Sequence, residues 1–227
     1  MKKPIILLLI LFFMPFVILG QDYYQYPPYE SGYIPIELNG KYGLKNTKNE
    51  IIIPLIYDEV SDISEGLFKI VLNDKVGFID LNGKVVIPLI YDIDNENIIG
   101  QTLYRQIEQD KNGEVSKETL LVSIDSEYVN FSEGLCAVVK NKKYGFIDKN
   151  NKIIIPLIYE AADNFHEEFA IIKLKGKYGL IDKNGNIVLE NKYDSLIWNK
   201  GFTLLLASQN DDFFYIEKDL KTIKKVF

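Results

Sequence analysis

The chain has 227 residues, of which 47% are hydrophobic and 13% aromatic, and its net charge is -6. That length suits one domain or one repeat array with enough apolar material for a core. Tyr and Phe abundance favours strands over long helices, and the lack of a basic run after the first three residues excludes the electrostatic footprint of a nucleic-acid binder.

The chain opens "MKKPIILLLILFFMPFVILGQD". Lys2 and Lys3 precede an apolar run from Ile5 to Leu19, and Gly20 closes it, the layout of a secretory signal peptide over 1–20. The run is shorter than the roughly 20 residues needed to span a bilayer, and Pro15 interrupts it. Cleavage near Gly20 is therefore expected, with a secreted or periplasmic product and no membrane insertion afterwards. The cleaved chain keeps 24 basic against 32 acidic side chains, a net charge of -8. Cys136 is the one cysteine, so no intramolecular disulfide can form and stability must come from packing. Residues 21–31 are Tyr- and Pro-rich and read as an extended lead-in, partly disordered. Tyr23, Tyr24 and Tyr26 there either dock a partner or glycan or tuck against the first repeat unit.

From residue 32 the chain repeats itself. "KYGLKNTKNEIIIPLIYDE" starts at Lys41 and "KYGFIDKNNKIIIPLIYEA" at Lys143. Gly43, Gly77, Gly145 and Gly179 are separated by 34, 68 and 34 residues. The double gap implies a disguised copy, and "IEQDKNGEV" (107–115) with "VSIDSEYVNFSEGL" (122–135) supplies it. A worn copy follows at "FYIEKDLKTI" (214–223), and an early one at "GYIPIELNGKYG" (32–43). The count is about six units of about 34 residues, four clear and two worn.

Each unit reads as an antiparallel meander of about three strands. The first strand is "GLFKIV" or "GLCAVV", and the second is "YGFID" or "YGLID", after a tight Asn/Gly turn. Gly83 and Gly185 share a position with Asn49 and Asn151, which points to a left-handed residue closing the second turn. The third strand, such as "KVVIP", is expected to stop at Pro54, Pro88 or Pro156. Its continuous apolar run predicts that both faces are covered. A loop then leads through "SEGL" to the next unit. Gly43, Gly77, Gly145 and Gly179 mark a close approach, here assigned to a Tyr of the adjacent unit (Tyr57, Tyr91, Tyr159 or Tyr193) lying over the glycine.

These motifs together resemble the WG-repeat family over nearly all of 32–208. The family's Trp is Tyr42, Val76, Tyr144 and Tyr178 here, and Trp198 lies in what reads as a loop after "YDSL". The resemblance implies a bacterial all-β repeat scaffold over 32–227 with interaction roles and no catalytic residues to carry over. The array either closes into a propeller-like or toroidal form or stays an open β-spiral.

No catalytic constellation is found. His166, the single His, reads as a solvated loop residue. Cys136 aligns with Phe68 and Ala170 and reads as a core thiol. Asp80, Asp148 and Asp182 recur before the Asn/Gly turns, and Asp58, Asp92, Glu160 and Asp194 recur after the repeated Tyr. Repetition favours turn chemistry over a glycosidase-like pair, because a catalytic pair appears once. The run at 92–101 lacks the Gly and terminal Glu of an EF-hand. No cofactor, metal or nucleic acid is expected. The functional expectation is an exported, non-enzymatic scaffold of the bacterial envelope, monomeric or weakly self-associating, that binds a protein or glycan. The alternative is a carbohydrate-active or other hydrolase on the same scaffold. The diverged stretch 104–128, with "RQIEQDKNGEVSKET" starting at Arg105, reads either as a specialised projecting hairpin or as drift. With it, Tyr104 and Arg105 join the three tyrosines as the candidate interaction surface.

Overall fold

A computed structural model describes residues 23–93, 103–109, 115–122, 130–199, 204–210 and 212–225, with backbone alone at 103–109 and 115–122. Residues 1–20, where a signal peptide is expected, and most of the acidic run at 92–101 lie outside the described residues. The first sheet has four strands: β1 (Tyr24–Gln25), β2 (Ile34–Leu38), β3 (Lys41–Lys45) and β4 (Ile51–Tyr57). Next come β5 (Glu59–Ser64), β6 (Leu67–Leu72), β7 (Lys75–Asp80) and β8 (Val85–Asp92). The strands β9 (Leu103–Gln109) and β10 (Val115–Val122) form a two-stranded sheet of their own. Then β11 (Leu135–Lys140), β12 (Lys143–Asp148) and β13 (Ile153–Tyr159) join β5–β8 in one seven-stranded sheet. Two further four-stranded sheets complete the array. One holds β14 (Ala161–Ala162), β15 (Phe169–Leu174), β16 (Lys177–Asp182) and β17 (Ile187–Tyr193). The last holds β18 (Ser195–Trp198), β19 (Leu204–Gln209), β20 (Asp212–Glu217) and β21 (Ile223–Lys225).

The protein is thus all-β and built of antiparallel meanders, as the period requires. The hairpin turns carry the expected conformations. Asn73 and Asp74, and Asn141 and Lys142, take positive φ in pairs, the signature of a type I′ turn. Asn49, Gly83, Asn151 and Gly185 all take positive φ at their shared position, 63° to 81°.

Three readings of the unit are corrected. First, Pro54, Pro88 and Pro156 lie inside β4, β8 and β13. Tyr42 and Leu44, two residues apart, pair with Tyr57 and Ile53, four apart, so the third strand bulges. The same shift recurs opposite Val76/Phe78 and Tyr144/Phe146. A proline is tolerated there because the bulge asks for no ladder N–H. Second, those strands alternate rather than bury both faces. Ile155 is 1% exposed while Ile153 and Ile158 are 52% and 49% exposed. Third, the stretch after the repeated Tyr is a strand (β5, β14 or β18), not a loop, and Trp198 ends β18. The extended lead-in also supplies β1, with Tyr24 opposite Glu37.

The glycine assignment is corrected as well. A Cβ on Gly145 would lie 2.6 Å from Ile155 O and 2.7 Å from Pro156 C. On Gly43 it would lie 2.5 Å from Ile53 O. The neighbour is the bulged backbone of the same unit, not a ring of the next. The repeated tyrosines instead pair across strands, Tyr42 with Tyr57, Tyr144 with Tyr159 and Tyr178 with Tyr193.

The core is a series of junctions between successive units. Leu44, Ile53 and Tyr57 pack on Phe68, Ile70 and Ile79. Phe78, Ile87 and Tyr91 pack on Cys136, Val138 and Ile147. Those last three are the equivalents of Phe68, Ile70 and Ile79, 68 residues on. The unit after β8 is therefore the one at β11, and the disguised copy does not stand between them. The backbone agrees: Asp92 pairs with Val139 just as the Asp58 N–H donates to Val71 O. Nine positions separate Asp58 from Leu67, and 43 separate Asp92 from Leu135, an excess of 34. One whole period has been looped out as the segment carrying β9 and β10. Burying a Phe or Ile contributes about 2 kcal/mol, so these junctions outweigh the exposed Lys–Asp pairs, worth about 1 kcal/mol or less each.

Candidate interaction surface

The recurrent acids are joinery. Asp148 Oδ1 accepts the N–H groups of Asn150 and Lys152 at 2.9 and 2.8 Å, and Asp80 and Asp182 repeat this pattern. The acid after the repeated Tyr reaches the turn of the following unit. Asp58 accepts the Asn73 N–H at 2.8 Å, Asp92 that of Asn141 at 2.7 Å, and Asp194 that of Asn210 at 2.8 Å. Each also pairs with the lysine that opens its own second strand: Lys41, Lys75 or Lys177.

"SEGL" is a clasp between units, a role that the sequence reading missed although the motif was visible. Ser64 Oγ donates to Phe131 O and Ser132 Oγ to Phe165 O, both at 2.6 Å. Glu65 accepts the Gly134 N–H at 3.1 Å and pairs with Lys149 at 3.0 Å. Burial opposes the Glu65 charge, but hydrogen bonds from Lys149 and Gly134 outweigh it and hold the carboxyl below its usual range.

Cys136 is fully buried in the junction core, and burial pushes its thiol up, away from the nucleophilic form. His166 is half-buried, its backbone N–H donating to Phe169 O, and burial of the imidazole lowers its pKa. Among the described residues no group of three or more His, Cys, Asp or Glu could hold a metal ion.

Two charged residues, Lys69 and Asp163, had no sequence signal beyond an unusual residue at their positions. Lys69 is 7% exposed, and burial lowers its pKa. Its equivalents in later units are Ala137 and Ile171. Asp163 is partly buried, and its carboxyl is desolvated. This raises its pKa to about 6. Its neighbour Asn164 keeps Oδ1 buried without a partner.

The structure brings Tyr23, Tyr24 and Tyr26 together on the first sheet. Tyr24 is 62% exposed and meets Tyr26 edge to face at 4.7 Å. Tyr26 lies 6.1 Å from Tyr42 and donates to Glu37 Oε2 at 3.0 Å. The hydrogen bonds with Tyr42 and Glu37 raise its pKa. Lys45 Nζ stands 5.2 Å over the Tyr23 ring. Tyr23 and Tyr26 are thus tied to the first unit while Tyr24 offers an open face. Tyr104 and Arg105 lie in β9, opposite Leu121 and Leu120, and their side chains are outside the described residues.

The description "WG containing repeat" matches residues 42–75, 77–92, 126–144, 144–178 and 178–204, leaving 93–125 unmatched. No curated protein matches the chain. Among solved structures it is similar to Kluyveromyces lactis Hsv2, at TM-score 0.43 and 8% identity over 86% of this chain and 59% of that one. It is also similar to the extracellular domain of BT4673 from B. thetaiotaomicron, at TM-score 0.32 and 14% identity over 88% of this chain and 34% of that one. The chain spans less than two thirds of the length of either.

Proposed function

The chain belongs to the WG containing repeat family, and on that premise we propose that it is an exported, non-enzymatic scaffold that binds a protein or surface polymer in the bacterial envelope. One observation carries the reading. The array closes from Asp92 to Asn141 and from Tyr91 to Cys136 without the looped-out period. The described junctions on either side form without it, and its residues 93–125 are largely polar and outside the family match, which supports a role in recognition. Tyr24 adds an exposed aromatic face at the start of the array.

The experiment replaces 95–129 with a flexible Gly/Ser linker and compares the variant with the wild type. The urea midpoint is expected to shift by less than about 1 kcal/mol equivalent, the range of changes outside a packed core. Capture of envelope components by the purified chain is expected to be lost. Unfolding of the variant would sink the structural half of the reading, and undiminished capture the functional half.

A further inference from the structure

The first hairpin of each unit ends on two facing residues. In three units they are a leucine and a lysine: Leu38 with Lys41, Leu72 with Lys75, and Leu174 with Lys177. In the hairpin of β11 and β12 they are Lys140 and Lys143. Like charges set directly opposite in a sheet repel. Lys142 occupies the turn between them at φ 60°, where other units place Gly40 or Gly176. All three lysines are exposed.

The acid that balances this position elsewhere is spent here. Asp58, Asp92 and Asp194 each accept the lysine of their own unit on one oxygen and a turn N–H of the following unit on the other. The equivalent acid beside Lys143 is Glu160. Both of its oxygens go to the following turn, accepting the N–H groups of Lys175 and Gly176 at 3.0 and 2.9 Å. Lys143 pairs with no acid among the described residues. The charge of Lys140 reaches Asp92, whose oxygens Lys75 and the Asn141 N–H already occupy. The Glu160 contacts also hold the next turn, with its exposed Lys175, against this unit.

We propose that the turns at 140–143 and 173–177 form a cationic ledge that binds an acidic polysaccharide, its carboxylates seated among Lys140, Lys143 and Lys175. The proposal rests on the scaffold reading and names the chemistry of its polymer. Charge complementarity selects an anion. The chain as a whole is acidic, yet here two facing lysines lack the acid that the fold supplies in other units. The make-up of the ledge selects the class of anion. Ammonium groups are point charges without the forked geometry of guanidinium, so they read charge along a flexible chain. The two turns hold no aromatic side chain on which a nucleobase would stack. Leu174, their one apolar residue, is partly buried, so no apolar face is offered to a bilayer. A polymer with a carboxylate on successive sugars can meet successive turns.

The test is affinity electrophoresis of the processed chain in polygalacturonate, with dextran as the uncharged control. At about 0.05 M salt the wild type is expected to be retarded by polygalacturonate and not by dextran, and at about 0.5 M salt screening should abolish the effect. Lys140→Leu/Lys143→Gln is expected to weaken binding about tenfold, as loss of two exposed ion pairs does. Lys48→Gln, in a turn of the first unit, should bind as the wild type does. The double variant should melt no lower than the wild type, because leucine is the residue that Leu38, Leu72 and Leu174 place at this position. An unretarded wild type, or a double variant retarded equally, would overturn the proposal. So would retardation confined to the Gly/Ser variant of 95–129, because the lysines would then serve acids of the chain's own segment. Capture of an envelope component that persists without polygalacturonate binding would overturn the proposal and leave the scaffold reading standing.

Discussion

Gly145→Ala is expected to cost about 3 kcal/mol of stability, the upper end for forcing one extra carbon into a packed site. The new Cβ would meet Ile155 O at 2.6 Å and Pro156 C and O at 2.7 Å, all backbone of the bulged third strand. No rotamer change can relieve contact with backbone, so the bulge itself must shift. The control is Gly176→Ala, where φ is +74° but a Cβ meets nothing within 4 Å. That change should cost only about 1 kcal/mol, from the left-handed conformation alone. The protein contains its own version of the experiment. In the last unit Phe214 stands at the glycine position, and β20 pairs with β21 with no register shift. Glycine and bulge disappear together. Urea denaturation of both variants checks the prediction, and equal losses would refute the bulge explanation.

Asp163→Asn is expected to stabilise the protein by about 2 kcal/mol at pH 7.5 and to leave it unchanged near pH 4. The direction follows from linkage. The folded-state pKa is raised from 3.8 to about 6 by burial, so between those values the folded chain holds a proton that the unfolded chain has released. Wild-type stability therefore falls as pH rises from about 4 to about 6 and stays low above it, by roughly 3 kcal/mol at most. Asparagine cannot ionise, so this contribution is absent from its curve, and the gap between the two curves should open as pH rises across that window. Thermal melts from pH 4 to 8 measure both curves. Parallel curves for the two proteins would mean that the carboxyl is not held in the buried position the structure gives it.

The repeat was legible because it is written in residues whose backbone roles are narrow. Asn49, Gly83, Asn151 and Gly185 took their left-handed conformation, and Asp80, Asp148 and Asp182 their turn duty. The errors came where one residue type admits two mechanisms. Proline was read as a stop when it marks a bulge, and glycine as a seat for a ring when it is a seat for backbone. The apolar third strands hid their exposed isoleucines because a run without polar residues carries no face information. The looped-out period was invisible for a different reason. Its sequence still echoes the repeat, and it takes the packing of Tyr91 on Cys136 and the pairing of Asp92 with Val139 to reveal that the stack passes it by. The clasp of Ser64 and Glu65 was missed because its partners lie in another unit, 67 to 84 positions away.

The most direct test of the scaffold reading is crosslinking of the tagged chain in cells, beside a control lacking residues 1–20, with identification of the captured molecules. The account expects one specific envelope component, protein or polymer, joined to the full chain and absent from the control. The same capture without residues 1–20, or turnover of a captured polymer by the purified chain, would contradict it.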